Sequence, residues 1–596
     1  MNAASPQPAP LTRAELIPCL EELEAGRPFK ETLEQLLLTL PFATAEHFSL
    51  LMREGRGAWV PLLRSCGGRA LFVGNAFSGT AHVLAALGFR PRLHDASEER
   101  LRFEVFRCKA LTGVEPEFTL ADLGERLPYD DDEFDLVVQE GGAPHEEWGH
   151  ATSELLRVSR GEVVLTADNR LGYKRSLGAR GEFAVLSPTR FLASVVNPPH
   201  GERTLAGYRA SLACEGQAVP EAYSLYPHSG DFTHVVAIDG DSPKLHIGPK
   251  ERANKLKIAG KALGLFRWLT PSFAIVSDKR GASARTPRRI ERLLAEISER
   301  VDEPLGIVDE WIATRGNTIV VQTRAAHGDL ADEDGRWSVH IPLSPQQRAQ
   351  ITRHAEVLEH LWTKKLVPAP EPIYSGRIDG IEFCCERRLA GFTAPQYSGD
   401  ESCMRKLLED CAEQFTALVQ SPPMVIDERR FEKLFAWRYE LVASLAGREE
   451  TAREVLRLRD EVRELVLGKS TPLCLQHADL RNKHVQTHPD GSVIGYLDWG
   501  SSRDRDLPYF DLLQLVVHEY KQATGCAMGA AWRLLLEPGR LRDWEYAAFE
   551  RYRQAVGLDA EVARGIERSF PVFVAAMAES NWDYSRPRWV HHHFGI

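Results

Sequence analysis

Residues 471–516 read TPLCLQHADLRNKHVQTHPDGSVIGYLDWGSSRDRDLPYFDLLQLV, and they decide the fold of the C-terminal half. A short apolar run, LCLQ, leads into His477 and Asp479. A Pro489-Asp490-Gly491 turn then joins two strands, the second ending at Leu497-Asp498-Trp499. The hairpin brings two carboxylates together. Phosphoryl transfer needs one carboxylate near the attacking hydroxyl and another on the divalent ion that neutralises the phosphates. Asp479 is placed for the first task and Asp498 for the second.

Working outward, residues 305–343 contain strand-like IVDEWIAT, NTIVVQTR and WSVHIPL, followed by a helix, QQRAQITRHAEVLEHLW. Beyond residue 400 the chain is mainly helical. Upstream, 240–300 is polar and basic around a short apolar WLTPSFAIV, and reads as a junction. Between about 65 and 240 the texture alternates: strand ALFVG, helix THVLAALG, strand RPRLHD, helix SEERLRFEVFRCKAL, then strands FDLVVQ and EVVLTA flanking another helix. That alternation implies βαβ units and a parallel sheet. Apolar positions at helical spacing in LTRAELIPCLEELEA and FKETLEQLLLTLPFA give two leading helices, broken at Gly26-Arg27-Pro28. The expected organisation is a tail with leading helices over 1–45, an α/β domain over 46–245, a junction over 246–300, a small β-rich lobe over 301–390 and a helical lobe over 391–596.

Within the α/β domain, ALFVGNAFSGTAHVLAALGFRPRLHDAS sets a strand, a turn of small residues, a helix and a second strand ending in Asp95 within one βαβ unit. Backbone approach at the turn (Gly74, Asn75, Ala76, Ser78, Gly79) and an acidic group on a ribose are what nucleotide binding needs there. The glycine pattern is degraded, since Ala76 and Ser78 stand where further glycines would leave φ unconstrained. A βαβ unit of this kind also serves NAD-dependent oxidoreductases, but no clean GxGxxG is present. His145 follows the GGAP turn as a candidate base or substrate contact; Tyr173 and Asn169 are further acceptor-side candidates.

The 471–516 block resembles the aminoglycoside phosphotransferase and choline kinase superfamily, with its HGDxxxxN loop and its metal segment IDW followed by DPxxDL. His477, Asp479, Asp498, Trp499, Asp506, Pro508 and Asp511 match. The resemblance spans about 300–596: FCCERRLAG at 383–391, with Glu386, looks like the family's hinge, and RGNTIVV at 315–321, with Gly316, like its phosphate-covering hairpin. It implies a two-lobed protein-kinase-like fold, ATP, magnesium or manganese, and a hydroxyl acceptor. Two departures stand out. His484 occupies the place of the family's metal-binding Asn, the nearest Asn being Asn482, and imidazole is a poorer partner for magnesium than oxygen. His340 stands near the place of the strand lysine that contacts nucleotide phosphates, with Arg336 or Lys364 as compensating cations. Glu356 is the candidate for the kinase helix glutamate. Residues 45–240 resemble the class I S-adenosylmethionine-dependent methyltransferases, Rossmann-like in fold, which implies Asp95 on the ribose and Asp122 with Leu123 near the adenine. The overall expectation is thus α/β plus α+β.

The 596 residues exceed what one core holds, so several domains are expected. Apolar content of 43% and charged content of 26% are globular, and the apolar runs are too short to span a bilayer. With a net charge of −11 and no dense Lys/Arg stripe, nucleic acid is not an expected partner; a small-molecule or glycan substrate is. The ten cysteines show no CxxC spacing, which points to free thiols in a cytoplasmic protein rather than to zinc or disulfides. The start MNAASPQPAP reads as a flexible tail rather than a signal peptide, and His591–His593 as an ordinary exposed tail. The pairing resembles the kinase-methyltransferases that cap bacterial O-polysaccharides, implying a bifunctional transferase acting on a sugar, glycan or related hydroxyl. The alternatives are a small-molecule kinase with a degenerate methyltransferase-like adjunct, and a ligand-binding scaffold without turnover.

Overall fold

The computed structural model describes residues 11–122, 126–141, 148–172, 202–213, 219–239, 264–280, 286–304, 307–324, 337–393, 400–446, 448–526, 528–536 and 541–581. The chain divides into two compact units. The first comprises Met1–Leu36, Ala43–Arg348 and Gly376–Cys385; the second comprises Leu37–Phe42, Ala349–Ser375 and Glu386–Ile596.

In the first unit, α1 (Arg13–Glu24) starts at a capping box in which Thr12 and Glu15 satisfy each other's amides; α2 (Phe29–Thr39) and α3 (Phe42–Met52) follow. Then come β1 (Gly68–Val73), α4 (Gly79–Ala86), β2 (Phe89–Asp95), α5 (Glu98–Thr112), β3 (Glu117–Leu120), β4 (Phe134–Glu140), α6 (Trp148–Val158) and β5 (Ser159–Asp168). Capping explains the helix limits. Ser78 caps α4, Ser97 caps α5, and Gly113 at φ 72° ends α5 in the left-handed region. The strands β1–β5 pair in parallel in the order β3-β2-β1-β4-β5. This is the doubly wound order, whose crevice opens at the carboxyl ends of β1 and β4. Buried Leu71, Phe134, Val137, Val163 and Leu165 read as continuous apolar runs because both faces of such a sheet are covered.

After α7 (Leu205–Leu212), the sheet continues with β6 (Glu221–Tyr226), β7 (His234–Ala237) and β8 (Ser272–Asp278); α8 (Arg289–Val301) follows. Strand β8 lies antiparallel between β5 and β6. The stretch 246–300, expected as a junction, therefore supplies an interior strand and a helix. Its seven-residue strand carries only a four-residue apolar run, Phe273–Val276, buried on both faces, and the basic sequence around it hid the signal. Strands β9 (Ile307–Ala313), β10 (Thr318–Arg324) and β11 (Trp337–Pro342) form an antiparallel meander. They join the same sheet through β7, where a separate small lobe was expected. The sheet's far edge is the hairpin of β12 (Pro372–Ile378) and β13 (Ile381–Arg387), on which the division between the units falls.

The second unit is helical around short strands. From α9 (Pro345–Lys364) the chain passes to α10 (Glu401–Gln414), α11 (Trp437–Ser444) and α12 (Glu449–Val466). Strands β14 (Cys474–Gln476), β15 (Val485–Thr487), β16 (Val493–Tyr496) and β17 (Arg503–Asp506) precede α13 (Phe510–Thr524), α14 (Met528–Leu536), α15 (Asp543–Val556) and α16 (Ala560–Asn581). The Pro-Asp-Gly turn joins β15 to β16 as expected, and β14 pairs antiparallel with β17. Leu358, Leu361, Phe415, Tyr439, Val462, Trp499, Phe510 and Phe570 close one apolar core around these strands. Among the described residues no helix is long and apolar enough to cross a membrane.

Candidate active site

The loop after β14 is set by a single carboxylate. Asp511, one residue into α13, accepts from the backbone N–H of His477 and of Ala478, both at 2.8 Å. Burial pushes Asp511 up to about 7, against these two amides, which favour its ionised form. The amides hold Ala478 at φ 66°, a left-handed conformation that costs an alanine about 1–2 kcal/mol. That turn directs Asp479 back over the hairpin. Asp479 then receives Nε and Nη2 of Arg481 at 2.7 and 2.6 Å, and Nε2 of Gln514 at 3.3 Å. Any further group that binds Asp479 shares it with Arg481.

His484, in the short helix Asn482–His484, faces Asp479 and Asp498 together. Its Nδ1 donates to the Asp479 carbonyl at 2.6 Å, because a carbonyl can only accept. Burial, reinforced by Lys483, pushes the imidazole down to about 4, so the ring is neutral near pH 7 and its Nε2 carries a lone pair. That lone pair points at Oδ2 of Asp498, 3.3 Å away. The Asp498 side chain is exposed and its carboxyl is held well below the usual carboxylate range, so it too is an acceptor. Two acceptors facing each other repel unless a cation lies between them. Neighbouring donors on a six-coordinate ion with bonds of about 2.1 Å sit about 3 Å apart, so the pair fits a divalent ion. The donor set, one imidazole and one carboxylate, suits manganese or another transition ion better than magnesium.

A relay on the other side holds Asp498. Its φ of 64° is left-handed, and the next residue, Trp499, donates its backbone N–H to Nδ1 of His354 at 3.0 Å. Nε2 of His354 therefore bears the proton and donates to Glu386 at 2.7 Å, both groups being buried. Glu386, expected near the nucleotide, accepts the His354 proton in this relay. Glu356, weighed for the kinase helix role, is exposed on α9; the inward-facing residue is His354. The helical spacing Gln347, Ile351, His354, Leu358, Leu361 carried that signal. Asn482, the alternative metal ligand, donates its amide to Glu519 at 3.1 Å and Gln522 at 2.5 Å on α13. Asp506, the other matched carboxylate, accepts from buried Arg438 at 2.5 Å.

The remaining described candidates lie in the first unit, except Lys364, which belongs to the second. Gly316 is in the β9–β10 turn, whose Asn317 is tied to Glu54 at 2.6 Å and to the Gly55 N–H at 3.2 Å. His340 is half-buried on β11 opposite Val320; Lys364 is exposed at the end of α9. At the carboxyl end of β1, Gly74 has φ 145°, and a Cβ there would meet the Glu140 carbonyl at 3.0 Å. A Cβ on Gly79 would sit 1.9 Å from the Arg53 carbonyl, so only glycine permits that approach. Asp95 accepts the Ala76 N–H at 2.8 Å, the Ser97 N–H at 3.0 Å and Nε of Arg100 at 2.9 Å, with a second bond from Arg100. Phe77 N–H goes to the Asn75 side chain, and Arg56 spans the turn from Ser78 to Glu140. The Ala76 and Phe77 amides and both Asp95 oxygens are thus already engaged. Asn169 is buried and structural, donating to the Trp268 and Thr270 carbonyls. Asp122 is exposed just past β3. Leu123, His145, Tyr173, Arg336 and His591–His593 lie outside the described residues.

Among solved structures, the chain overlaps an aminoglycoside phosphotransferase from Streptomyces rimosus at 19% identity and a TM-score of 0.28, covering 43% of this chain and 89% of that one. It overlaps a type I macrolide 2'-phosphotransferase at 16% identity and a TM-score of 0.34, covering 50% and 91%. A SAM-dependent methyltransferase from Aquifex aeolicus overlaps at 16% identity and a TM-score of 0.18, covering 20% and 68%. Among curated proteins none matches. Residues 329–553 match the model of the phosphotransferase enzyme family, and Asp479, His484 and Asp498 all fall inside the matched segment.

Proposed function

We propose that this protein transfers a phosphoryl group from a nucleoside triphosphate such as ATP to a hydroxyl of a sugar, glycan or related small molecule. One observation carries the reading: the His484 lone pair and the Asp498 carboxylate converge 3.3 Å apart, beside an Asp479 aimed by Asp511. A divalent ion bound by His484 and Asp498 would neutralise charge on the phosphates. Asp479 orients the acceptor hydroxyl and takes up its proton, and Arg481 balances the charge there. Titration calorimetry of ATP with manganese and with magnesium, on the wild type and on Asp498→Ala, tests the reading. Metal-dependent ATP binding lost in Asp498→Ala supports it; no ATP binding with either metal reduces this half to a ligand-binding scaffold.

A second activity, methyl transfer from S-adenosylmethionine, rests on the doubly wound order β3-β2-β1-β4-β5 with Gly74 at its crevice. It requires Arg100 to release Asp95 when the cofactor's ribose arrives. Binding of S-adenosylmethionine to the full chain, weakened at least tenfold in Asp95→Ala, is the expected result. No heat of binding to the wild type removes this activity and leaves the first unit as an adjunct of the kinase.

A further inference from the structure

Beneath the Gly74–Gly79 turn, His82 on α4 faces Glu104 and Cys108 on α5, all three wholly buried. Glu104 and Cys108 are four apart on one helix face, which stacks them. Cys108 Sγ lies 3.2 Å from Oε1 of Glu104, and the three donor atoms fall within 4.8 Å of one another. His82 is the anomaly. Neither of its ring nitrogens has a hydrogen-bond partner, although a neutral imidazole carries one donor and one acceptor and burial without partners is costly.

We propose that His82, Glu104 and Cys108 form a structural site for a single zinc ion, joining α4 to α5. A tetrahedral zinc, with bonds of about 2.0–2.3 Å, holds its donors about 3.3–3.8 Å apart, so the Glu104–Cys108 spacing is already right and the His82 ring need only close in. Glu104 binding through both oxygens completes four-coordination without water in a closed interior. The charges also balance. Arg107, buried beside the cluster, pairs with Glu54 at 2.5 Å and lies 3.5 Å from Glu104. Arg348, which also bears on His82, has its own carboxylate in Glu382 at 3.6 Å; with Cys108 as thiolate, three negative groups then face the Arg107 guanidinium, and a divalent cation neutralises the remainder. Zinc displaces the protons that its ligands carry when it binds. The cysteines carried no zinc spacing in sequence because these donors come from two helices with twenty-one residues between His82 and Glu104. The ion would brace the helix that starts at Gly79, and with it the turn at the crevice.

The test uses the full chain, stripped of metal and loaded with cobalt. The kinase-half pair of His484 and Asp498 offers no sulfur, so a thiolate-to-cobalt charge-transfer band reports on the new site alone. The expected result is that band, with the intense visible bands of tetrahedral cobalt, lost in Cys108→Ser and strongly weakened in His82→Phe. X-ray absorption on zinc-loaded wild type adds a reading that needs no variant to fold: one sulfur with nitrogen and oxygen neighbours. A folded, cobalt-loaded wild type without the band, a band that persists in folded Cys108→Ser, or a zinc shell with no sulfur or with several, overturns the proposal.

Discussion

The replacement His484→Asn tests the metal reading most directly. It removes the 2.6 Å bond from Nδ1 to the Asp479 carbonyl, worth about 1 kcal/mol, and leaves a small void beside His477, worth about 1 kcal/mol more. The unit should therefore lose about 2 kcal/mol and still fold. Function should change in kind. The imidazole nitrogen that faces Asp498 at 3.3 Å becomes an amide oxygen, which magnesium accepts more readily. Wild type should turn over ATP faster with manganese than with magnesium. In His484→Asn the manganese-to-magnesium ratio of initial rates should fall at least tenfold, equivalent to about 1.4 kcal/mol of differential metal affinity. ATP turnover in parallel metal series, with calorimetry of each metal in the presence of a non-hydrolysable analogue, reads this out. A folded variant whose ratio is unchanged would show that His484 is not a ligand, and that its pairing with Asp498 is structural.

Three further outcomes follow from neighbouring groups. Arg438→Met leaves the buried Asp506 carboxylate unpaired and removes a guanidinium stacked on Trp437 and Phe573, so urea unfolding of the second unit should reveal a loss of about 3–5 kcal/mol. His354→Phe keeps the volume but takes the acceptor from the Trp499 amide and the donor from Glu386; kcat should fall more than tenfold while the acceptor KM moves little. Burial, with Arg481, Lys521, His484 and Lys483 adding to it, depresses His518 far below its ordinary 6.5. Below pH 6.5 the unfolded chain takes up a proton that the folded chain refuses, so stability present above that pH drains away on acidification. His518→Gln should flatten this acid limb in thermal melts between pH 7 and 5, and an unchanged slope would refute the assignment.

What could be read from sequence follows from how local each signal was. The Pro-Asp-Gly turn fixes a register, and register alone delivers Asp479 and Asp498 to one hairpin, so that pair was legible. The parallel strands and their helices were legible for the same reason, since period and capping are local properties. His354 was written in the spacing of α9, but an expectation of a helix glutamate drew attention to the exposed Glu356 instead. β8 was short, apolar and surrounded by basic sequence, and only its neighbours β5 and β6 reveal it as interior. The engagement of Asp95 by Arg100 was beyond pattern reading. Whether a strand-end carboxylate is open to a ribose or closed by an arginine five residues later depends on a rotamer, not on spacing.

Strain and support at the site balance in a way that explains which matched residues are needed and why. Ala478 and Asp498 are both left-handed without being glycine, and each conformation costs about 1–2 kcal/mol. Each is secured by a neighbour outside the hairpin: Asp511 on α13 takes two amides beside Ala478, and His354 on α9 takes the amide after Asp498. The two amide bonds that Asp511 accepts offset the first cost at about 0.5–1.5 kcal/mol apiece. A glycine at either position would relieve the strain but free the backbone, and the carboxylates would no longer be aimed. The geometry of the pair therefore lies less in Asp479 and Asp498 than in the helices that force them into place. By that argument Ala478→Gly should raise stability slightly, by about 1 kcal/mol, and lower kcat; a variant that gains both stability and turnover would mean the left-handed turn serves folding alone.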